Sequence, residues 1–282
     1  MQRITYTTSL GTITVDDVNV SSLTGEKILR LNDFDGNSGK TRLETMQCVG
    51  LPGQKVLSSV LDVKTVTAKI AFAPVYVVNN RRKCTGEAGM YNLRREILKR
   101  FPLGESGTLE YANDNGIYTI TARIDQNPVV VVHDGCFCEC TIMFTCDYPY
   151  WCKAIASEKQ TITAGHSATF IPPEYGDVPS PIGGTIKCLQ TLSGASGYYY
   201  RIANVDNSYN RVDFCDPIYT GGTRTFNFLY DNKWIVPGDV YISEYCEPCI
   251  NRPNRSSFNF SVTASSGSLE VQLIYYNLFI AV

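Results

Sequence analysis

Phe144-Thr145-Cys146-Asp147-Tyr148-Pro149-Tyr150-Trp151 decides how this chain divides. It closes a block of alternating strands with one short basic helix, and a second block of strands and turns follows it. In the residues leading into it, Cys138, Cys140, Ile142, Phe144 and Cys146 share one face. Glu139, Thr141, Met143 and Thr145 share the other, which is the period of a half-buried strand. Proline among aromatics then stops the strand and separates two compact units. From Ala154 to Gly165 the sequence turns polar, which places the boundary there and predicts domains over 1–157 and 158–282. At 282 residues the chain is near twice the usual ~150 residues of a domain, so two units are expected on length as well. Domains of that size bury roughly 68–70% of their unfolded surface and need no covalent staples.

Upstream, Val66, Ala68, Ile70 and Phe72 alternate with Thr67, Lys69 and Ala71, and Tyr118, Ile120, Ala122 and Ile124 alternate with Thr119, Thr121 and Arg123. Both stretches predict half-buried strands. Val129 to Val132 is an unbroken β-branched run, which reads as a strand buried on both faces. One helix is predicted from about Glu87 to Arg100, with Met90, Leu93, Ile97 and Phe101 as its apolar stripe. Its basic last turn suits the negative end of the helix dipole, and Pro102 and Gly104 stop it. Just before it, Asn79-Asn80-Arg81-Arg82-Lys83 reads as a polar, basic turn.

Downstream there is no helical period. Turn markers fall at Pro172-Pro173, Gly183-Gly184, Ser193-Gly194, Gly221-Gly222 and Pro237-Gly238. Phe258, Phe260 and Val262, then a Ser265-Ser266-Gly267 turn, then Leu269, Val271 and Leu273 predict a hairpin. Short strands at regular turns indicate a β-sandwich. The fold class is therefore mainly β, a β-rich N-terminal domain with one α-helix followed by a β-sandwich.

The bulk numbers bound the function. A net charge of −2, from 25 basic and 27 acidic residues, provides no global field for nucleic acid or an anionic membrane. No apolar run approaches the ~18 residues needed to cross a bilayer. The start, Met1-Gln2-Arg3-Ile4-Thr5-Tyr6, lacks the apolar segment of a secretory signal, so synthesis and residence in a cytoplasm are expected. Eleven cysteines, an odd number in a long chain, then read as free thiols.

Each conspicuous cluster carries a sharp reading and a plain one. Cys136, Cys138 and Cys140, with His133 before them, could converge on zinc; structural zinc sites favour C-x₂₋₄-C spacing, and this face continues into Ile142 and Phe144. The core reading prevails and no metal or cofactor is expected. Cys246-Glu247-Pro248-Cys249 has the spacing of a redox or zinc pair but no βαβ pattern around it, so a local disulfide and an idle loop pair stay open beside those uses. Two histidines, His133 and His166, leave little for nucleophilic triads, and Gly194-Ala195-Ser196-Gly197 misses the nucleophile-elbow spacing by one. The two acids of a glycosidase need not be close in sequence, so motif spacing does not address that class. No motif supports an enzyme.

Region 79–101 carries Arg81, Arg82, Lys83, Arg94, Arg95, Lys99 and Arg100 against Glu87 and Glu96. A nucleic-acid groove pairs such charge with stacking aromatics or a reading helix, and Tyr91 and Phe101 alone do not supply that. A subunit contact fits better, with Arg81, Arg82, Lys83, Arg94 and Arg95 as candidates. In the second unit Tyr199, Tyr209 and Trp234 are candidates for glycan contact, since sugar rings stack on exposed aromatics. The plain reading, aromatics filling a sandwich core, competes for each.

Several short motifs, in this order, resemble the distal tail proteins of siphoviruses and of phage tail-like particles. In the first unit they are Gly50-Leu51-Pro52-Gly53, Phe101-Pro102-Leu103-Gly104, Gly107-Thr108-Leu109-Glu110-Tyr111 and Cys146-Asp147-Tyr148-Pro149-Tyr150-Trp151. In the second they are Tyr175-Gly176-Asp177-Val178-Pro179-Ser180-Pro181 and Trp234-Ile235-Val236-Pro237-Gly238-Asp239. The cysteine load and the Cys246–Cys249 segment depart from the pattern. The resemblance implies an N-terminal belt domain whose copies close into a homohexameric ring, with Arg81, Arg82 and Lys83 at a hairpin tip, and a galectin-like or carbohydrate-module-like C-terminal sandwich. It implies a virion tail-tip hub without catalysis, whose partners are the tail tube protein, a tail-tip protein and a receptor-binding protein or host saccharide. The alternative is a glycan-binding, lectin-like module that contacts host-surface saccharide directly.

Overall fold

The computed structural model describes residues 2–17, 27–36, 41–46, 55–78, 81–84, 86–133, 137–178, 180–195, 197–205, 211–228, 234–236, 242–243, 249–250 and 257–282. They form two compact units. Met1–Trp151 with Ile280–Val282 makes the first, and Cys152–Phe279 makes the second.

The first unit contains β1 (Arg3–Thr8), β2 (Gly11–Asp16), β3 (Lys27–Asp35), β4 (Thr41–Met46), β5 (Lys55–Leu61), β6 (Lys64–Val78) and β7 (Arg81–Cys84). α1 (Glu87–Leu98), β8 (Ser106–Asn113), β9 (Gly116–Arg123), β10 (Val129–His133) and β11 (Phe137–Cys146) follow. Antiparallel pairing runs β2–β1–β8–β9–β11–β6–β3. Arg30 Nε donates to Asp17 O at 3.1 Å, tying β3 to the residue that follows β2. β10 also pairs with β11, β7 pairs with the far end of β6, and β4 pairs with β5 as a separate two-stranded sheet.

Alternation sets the core of this unit. Val66, Ala68, Ile70 and Phe72 on β6 lie beside Cys138, Cys140, Ile142, Phe144 and Cys146 on β11, all essentially without exposure. The thiols fill that face as small apolar groups, in line with the core reading. α1 covers the core with Met90, Leu93 and Ile97, and Phe101 joins them beyond the helix end. Tyr6 stacks on Phe101 at 6.0 Å and meets Phe144 edge-on at 5.1 Å. The helix ends at Leu98; Arg100 N–H and Phe101 N–H then donate to Ile97 O and Leu98 O in a tighter turn.

Two expectations for this unit are corrected. Val129–Val132 is not buried on both faces. It is an edge strand paired only with β11 among the described residues, and Val129, Val131 and Val132 are 63%, 50% and 50% exposed. Composition reports the strand but not which chain covers it. Arg81–Lys83 is a strand and not a turn: Arg81, Arg82 and Lys83 face Val78, Val77 and Tyr76 across the ladder.

Among the described residues of this unit Lys64 is the buried cation, at 1% exposure. Its Nζ donates to Ile280 O at 2.6 Å and lies 5.7 Å from the centre of the Trp151 ring. Burial pushes its pKa down to about 8, against the opposing charges of Cys146 and Asp35. Burial pushes the thiols the other way, Cys140 up to about 11 and Cys146 up to about 12. These shifts oppose each other in stability. The folded pKa of Lys64 is depressed, so between pH 8 and 10.5 the unfolded chain holds more protons and stability rises with pH. The thiols' folded pKa values are raised, so their contribution is complete below pH 9 and is lost as pH climbs through 11 and 12. Burial pushes the Cys138 and Cys188 thiols up as well. The thiols together therefore outweigh Lys64, and wild-type stability is expected to fall above pH 9, with the lysine offsetting part of that loss. Lys64→Met removes the rising contribution, and its denaturation midpoint is expected to fall more steeply than that of wild type above pH 9. Parallel profiles for the two proteins would contradict the assignment.

The second unit opens within β12 (Trp151–Ala156) and continues with β13 (Gln160–Thr163), β14 (Ser167–Phe170), β15 (Ser180–Ser193), β16 (Tyr200–Asn204), β17 (Arg211–Phe214) and β18 (Thr223–Asn227). β19 (Trp234–Val236), β20 (Ile242–Ser243), β21 (Cys249–Ile250), β22 (Phe258–Val262) and β23 (Ser266–Phe279) complete it. One sheet runs β19–β18–β15–β23, with β12 and β13 on β23 and β21 on β15. The other runs β14–β22–β16–β17–β20. Between them lies the sandwich core, including Ile186, Tyr200, Ile202, Phe214, Phe226, Phe258, Phe260, Leu269 and Leu273.

Two sequence readings in this unit are corrected as well. Gly183-Gly184 is no turn but the interior of β15. A Cβ on Gly183 would lie 2.9 Å from Phe226 O, and one on Gly184 would lie 2.6 Å from Gln272 O, so glycine here serves close strand packing. The stretch 257–273 is no hairpin either. β22 pairs with β14 and β16, whereas β23 pairs with β13 and β15 in the opposite sheet. In the link Ala264 is buried in the core, and Gly267 has φ +107 with Thr191 O 2.5 Å from where a Cβ would stand. Pro237-Gly238 lies outside the described residues.

Candidate functional site

Amphipathic helix α1 positions the basic candidates of the first unit. Its apolar stripe is committed to the core, which leaves Tyr91, Arg95 and Lys99 exposed and Arg94 and Leu98 half-buried. These five residues line an open basin of about 450 Å³. Tyr91 is 63% exposed, so its ring is a wall of the basin. Arg94 lies close enough to Cys138 and Cys140 to favour their thiolates, although burial dominates and keeps both thiols protonated. Lys83 is exposed on β7. The backbones of Arg81 and Arg82 are held by β6, and their side chains lie outside the described residues. β7 pairs with β6 and α1 packs against β6, so one long strand carries both basic groups.

The aromatic candidates of the second unit are not brought together. Tyr199 is half-buried and packs against the sandwich core; its N–H donates to Phe214 O and its carbonyl accepts from Thr263 N–H, each at 2.9 Å. Trp234 is placed only by its backbone, opposite Asn227 in β19, and Tyr209 lies outside the described residues. Of the neighbouring tyrosines, Tyr200 is wholly in the core, and Tyr198 stacks under the guanidinium of Arg201 at 4.0 Å. Cys136, Cys246 and Ser196 also lie outside the described residues, and Cys249 is placed by its backbone alone, opposite Pro181. Among the described residues no group of three or more His, Cys, Asp or Glu side chains is arranged to hold a metal.

Three buried charges were missed at the level of sequence. Lys64 shares the parity of Val66, Ala68 and Ile70, which marks it for the core face. Arg224 shares the parity of Phe226, and its Nη1 donates to the Tyr200 hydroxyl. Its guanidinium lies 5.5 Å and 5.6 Å from the Tyr200 and Phe214 ring centres. Asp213, 4% exposed, takes both Arg201 nitrogens at 2.5 and 2.7 Å, with Arg211 Nε 3.6 Å away. In the first and second cases a cation at apolar parity was a readable signal. Asp213 breaks no parity rule, because it lies on the face opposite Val212 and Phe214.

No family model matches the sequence, and no curated protein matches it. Its fold is similar to that of solved structures. The Dit protein (gp 19.1) of SPP1, described as a paradigm of the hub adsorption apparatus in phages infecting Gram-positive bacteria, aligns with a TM-score of 0.62 at 10% identity, covering 99% of this chain and 99% of its own. Chains in two structures of the phage p2 baseplate in its activated conformation, with strontium and with calcium, align with TM-scores of 0.49 at 11% identity. They cover 96% of this chain and 98% and 97% of their own.

Proposed function

We propose that this protein is a non-catalytic hub at the distal end of a bacteriophage tail or tail-like particle. Six copies close into a ring that joins the tail tube to the tail-tip and host-adhesion apparatus. The observation that carries this reading is the likeness to the SPP1 Dit fold over 99% of both chains. A likeness of that extent includes the β-rich first unit, its helix and the sandwich. A hub works by contact, and a head-to-tail contact whose rotation closes produces a ring. Its partners are then further copies of itself, a tail tube protein, a tail-tip protein and a receptor-binding protein, at the tip of the virion tail.

The basic candidates fit such contacts. Arg95 and Lys83 are exposed, and Arg94 borders the basin beside Tyr91. Arg81 and Arg82 stand on the same hairpin as Lys83. Tyr199 gives less support to a sugar platform, since its ring packs on the core.

Native mass spectrometry of the purified chain, with electron micrographs of the same sample, tests this reading. Six copies in an annulus are expected. A protomer that stays solitary at high micromolar concentration would overturn it.

A further inference from the structure

We infer that the outward stripe of α1 docks an acidic segment of a different protein, one that carries an aromatic or aliphatic side chain beside its carboxylates. This rests on the hub reading above, since a hub holds chains other than its own copies, and it names the chemistry of one such partner.

Helical spacing builds the stripe. Tyr91, Arg94, Arg95, Leu98 and Lys99 stand at i, i+3, i+4, i+7 and i+8, so they share one face, beside the one that Met90, Leu93 and Ile97 commit to the core. Tyr91 and Leu98 are two turns apart, about 10 Å along the axis, and offer apolar contact at two points. The guanidinium groups of Arg94 and Arg95 present forked donors that match carboxylates in shape as well as charge. An exposed tyrosine beside arginines is the composition of interface anchors, and arginine clusters are a recurring means of holding acidic segments. A basin of about 450 Å³ takes a few side chains, not a folded domain.

Charge decides the occupant. Among the described residues Arg94, Arg95 and Lys99 make no ion pair, and Glu96 does not line the basin. Arg95 and Lys99, four apart, repel each other, so an arriving carboxylate also relieves that repulsion. Much of this chain's own acid is already matched elsewhere. Asp33 lies 3.0 Å from Lys69, Asp125 and Asp147 lie 2.9 and 2.5 Å from Arg123, and Glu270 lies 3.0 Å from Lys159. A second copy would break such pairs to supply the carboxylates, and another chain need not. Nucleic acid fits less well, because duplex binding engages roughly six to ten phosphates and this stripe has far fewer cations.

Fluorescence anisotropy on the full chain tests it, with labelled poly(Glu,Tyr), polyglutamate and oligothymidylate as probes. Poly(Glu,Tyr) is expected to bind more tightly than the other two. Arg95→Gln with Lys99→Gln changes only exposed side chains, so the melting temperature is expected to stay close to wild type. Its binding of poly(Glu,Tyr) is expected to weaken at least about tenfold. Arg95→Lys with Lys99→Arg keeps both charges and is expected to retain most of the binding. Tyr91→Ala is expected to abolish the preference for poly(Glu,Tyr) over polyglutamate. No binding by wild type, equal binding by the glutamine variant, or tighter binding of oligothymidylate would each overturn the inference. Native mass spectrometry separates it from the hub reading, because the glutamine variant is expected to assemble as wild type does. If that variant loses the ring, the stripe joins copies, and this inference falls while the hub reading stands. A wild-type protein that stays solitary yet binds poly(Glu,Tyr) through the stripe removes the hub reading alone.

Discussion

Trp151→Ala is expected to lower stability by about 3–5 kcal/mol, the range for deleting a large buried aromatic that leaves a cavity. Trp151 has no exposure and closes the first unit. Its ring lies 6.0 Å from Phe34 and 6.3 Å from Tyr111, centre to centre, and its indole N–H donates to Gly36 O at 3.0 Å. Above it sits the Lys64 ammonium, whose burial is tolerable because the ring face and Ile280 O receive it. Truncation therefore removes packing, orphans a carbonyl and strips a buried cation of one partner. Trp151→Phe retains most of the volume and should cost about 1–2 kcal/mol, the worth of the hydrogen bond and part of the cation contact. Guanidinium denaturation of the full chain gives the magnitude. Hydrogen exchange locates it, with loss of protection expected first at Ala68–Phe72 and not at Leu269–Leu273. A loss below 1 kcal/mol for the alanine variant would mean that the indole is not the keystone its contacts suggest.

That tryptophan ends the stretch Phe144–Trp151, and the sequence there was legible because period-2 alternation and a proline are local signals. The same holds for the strands at 66–72 and 118–123, for Phe137–Cys146 and for the stripe of α1. Non-local facts were hidden. Whether Val129–Val132 is covered depends on which chain stands beside it, and the run reads the same either way. Gly183-Gly184 looked like a turn because glycine's use for close approach requires knowing that Phe226 O and Gln272 O stand opposite. Phe258–Leu273 looked like a hairpin because two alternating strands with a short polar link read alike whether they pair in one sheet or face each other across a core. Of the candidate site, the basic helix was legible as an amphipathic pattern. The aromatic candidates were not, because strand aromatics serve cores and sugar platforms with the same residue types.

Arg224 offers the sharpest test of how the sandwich tolerates a charge. At 5% exposure it spans from β18 to the rings of Tyr200 and Phe214 on the facing sheet, and its guanidinium donates to the Tyr200 hydroxyl. Arg224→Ala is expected to cost about 3–5 kcal/mol, since it leaves a cavity among aromatics and strands the hydroxyl without a donor. Burying an ion is itself unfavourable, so a variant that removes the charge but keeps the volume should recover most of that loss. Arg224→Met still strands Tyr200 and is expected to cost about 1–3 kcal/mol. Combining it with Tyr200→Phe leaves no orphaned polar group, and the pair should return to within about 1 kcal/mol of wild type. Tyr200→Phe alone should be worse than the pair, because the guanidinium then keeps its burial and loses its acceptor. The four denaturation midpoints form a double-mutant cycle whose coupling is predicted to be favourable to the double variant. If Arg224→Met proves as damaging as Arg224→Ala, the charge itself holds the sheets together, and the stacked cation contributes more than its desolvation costs.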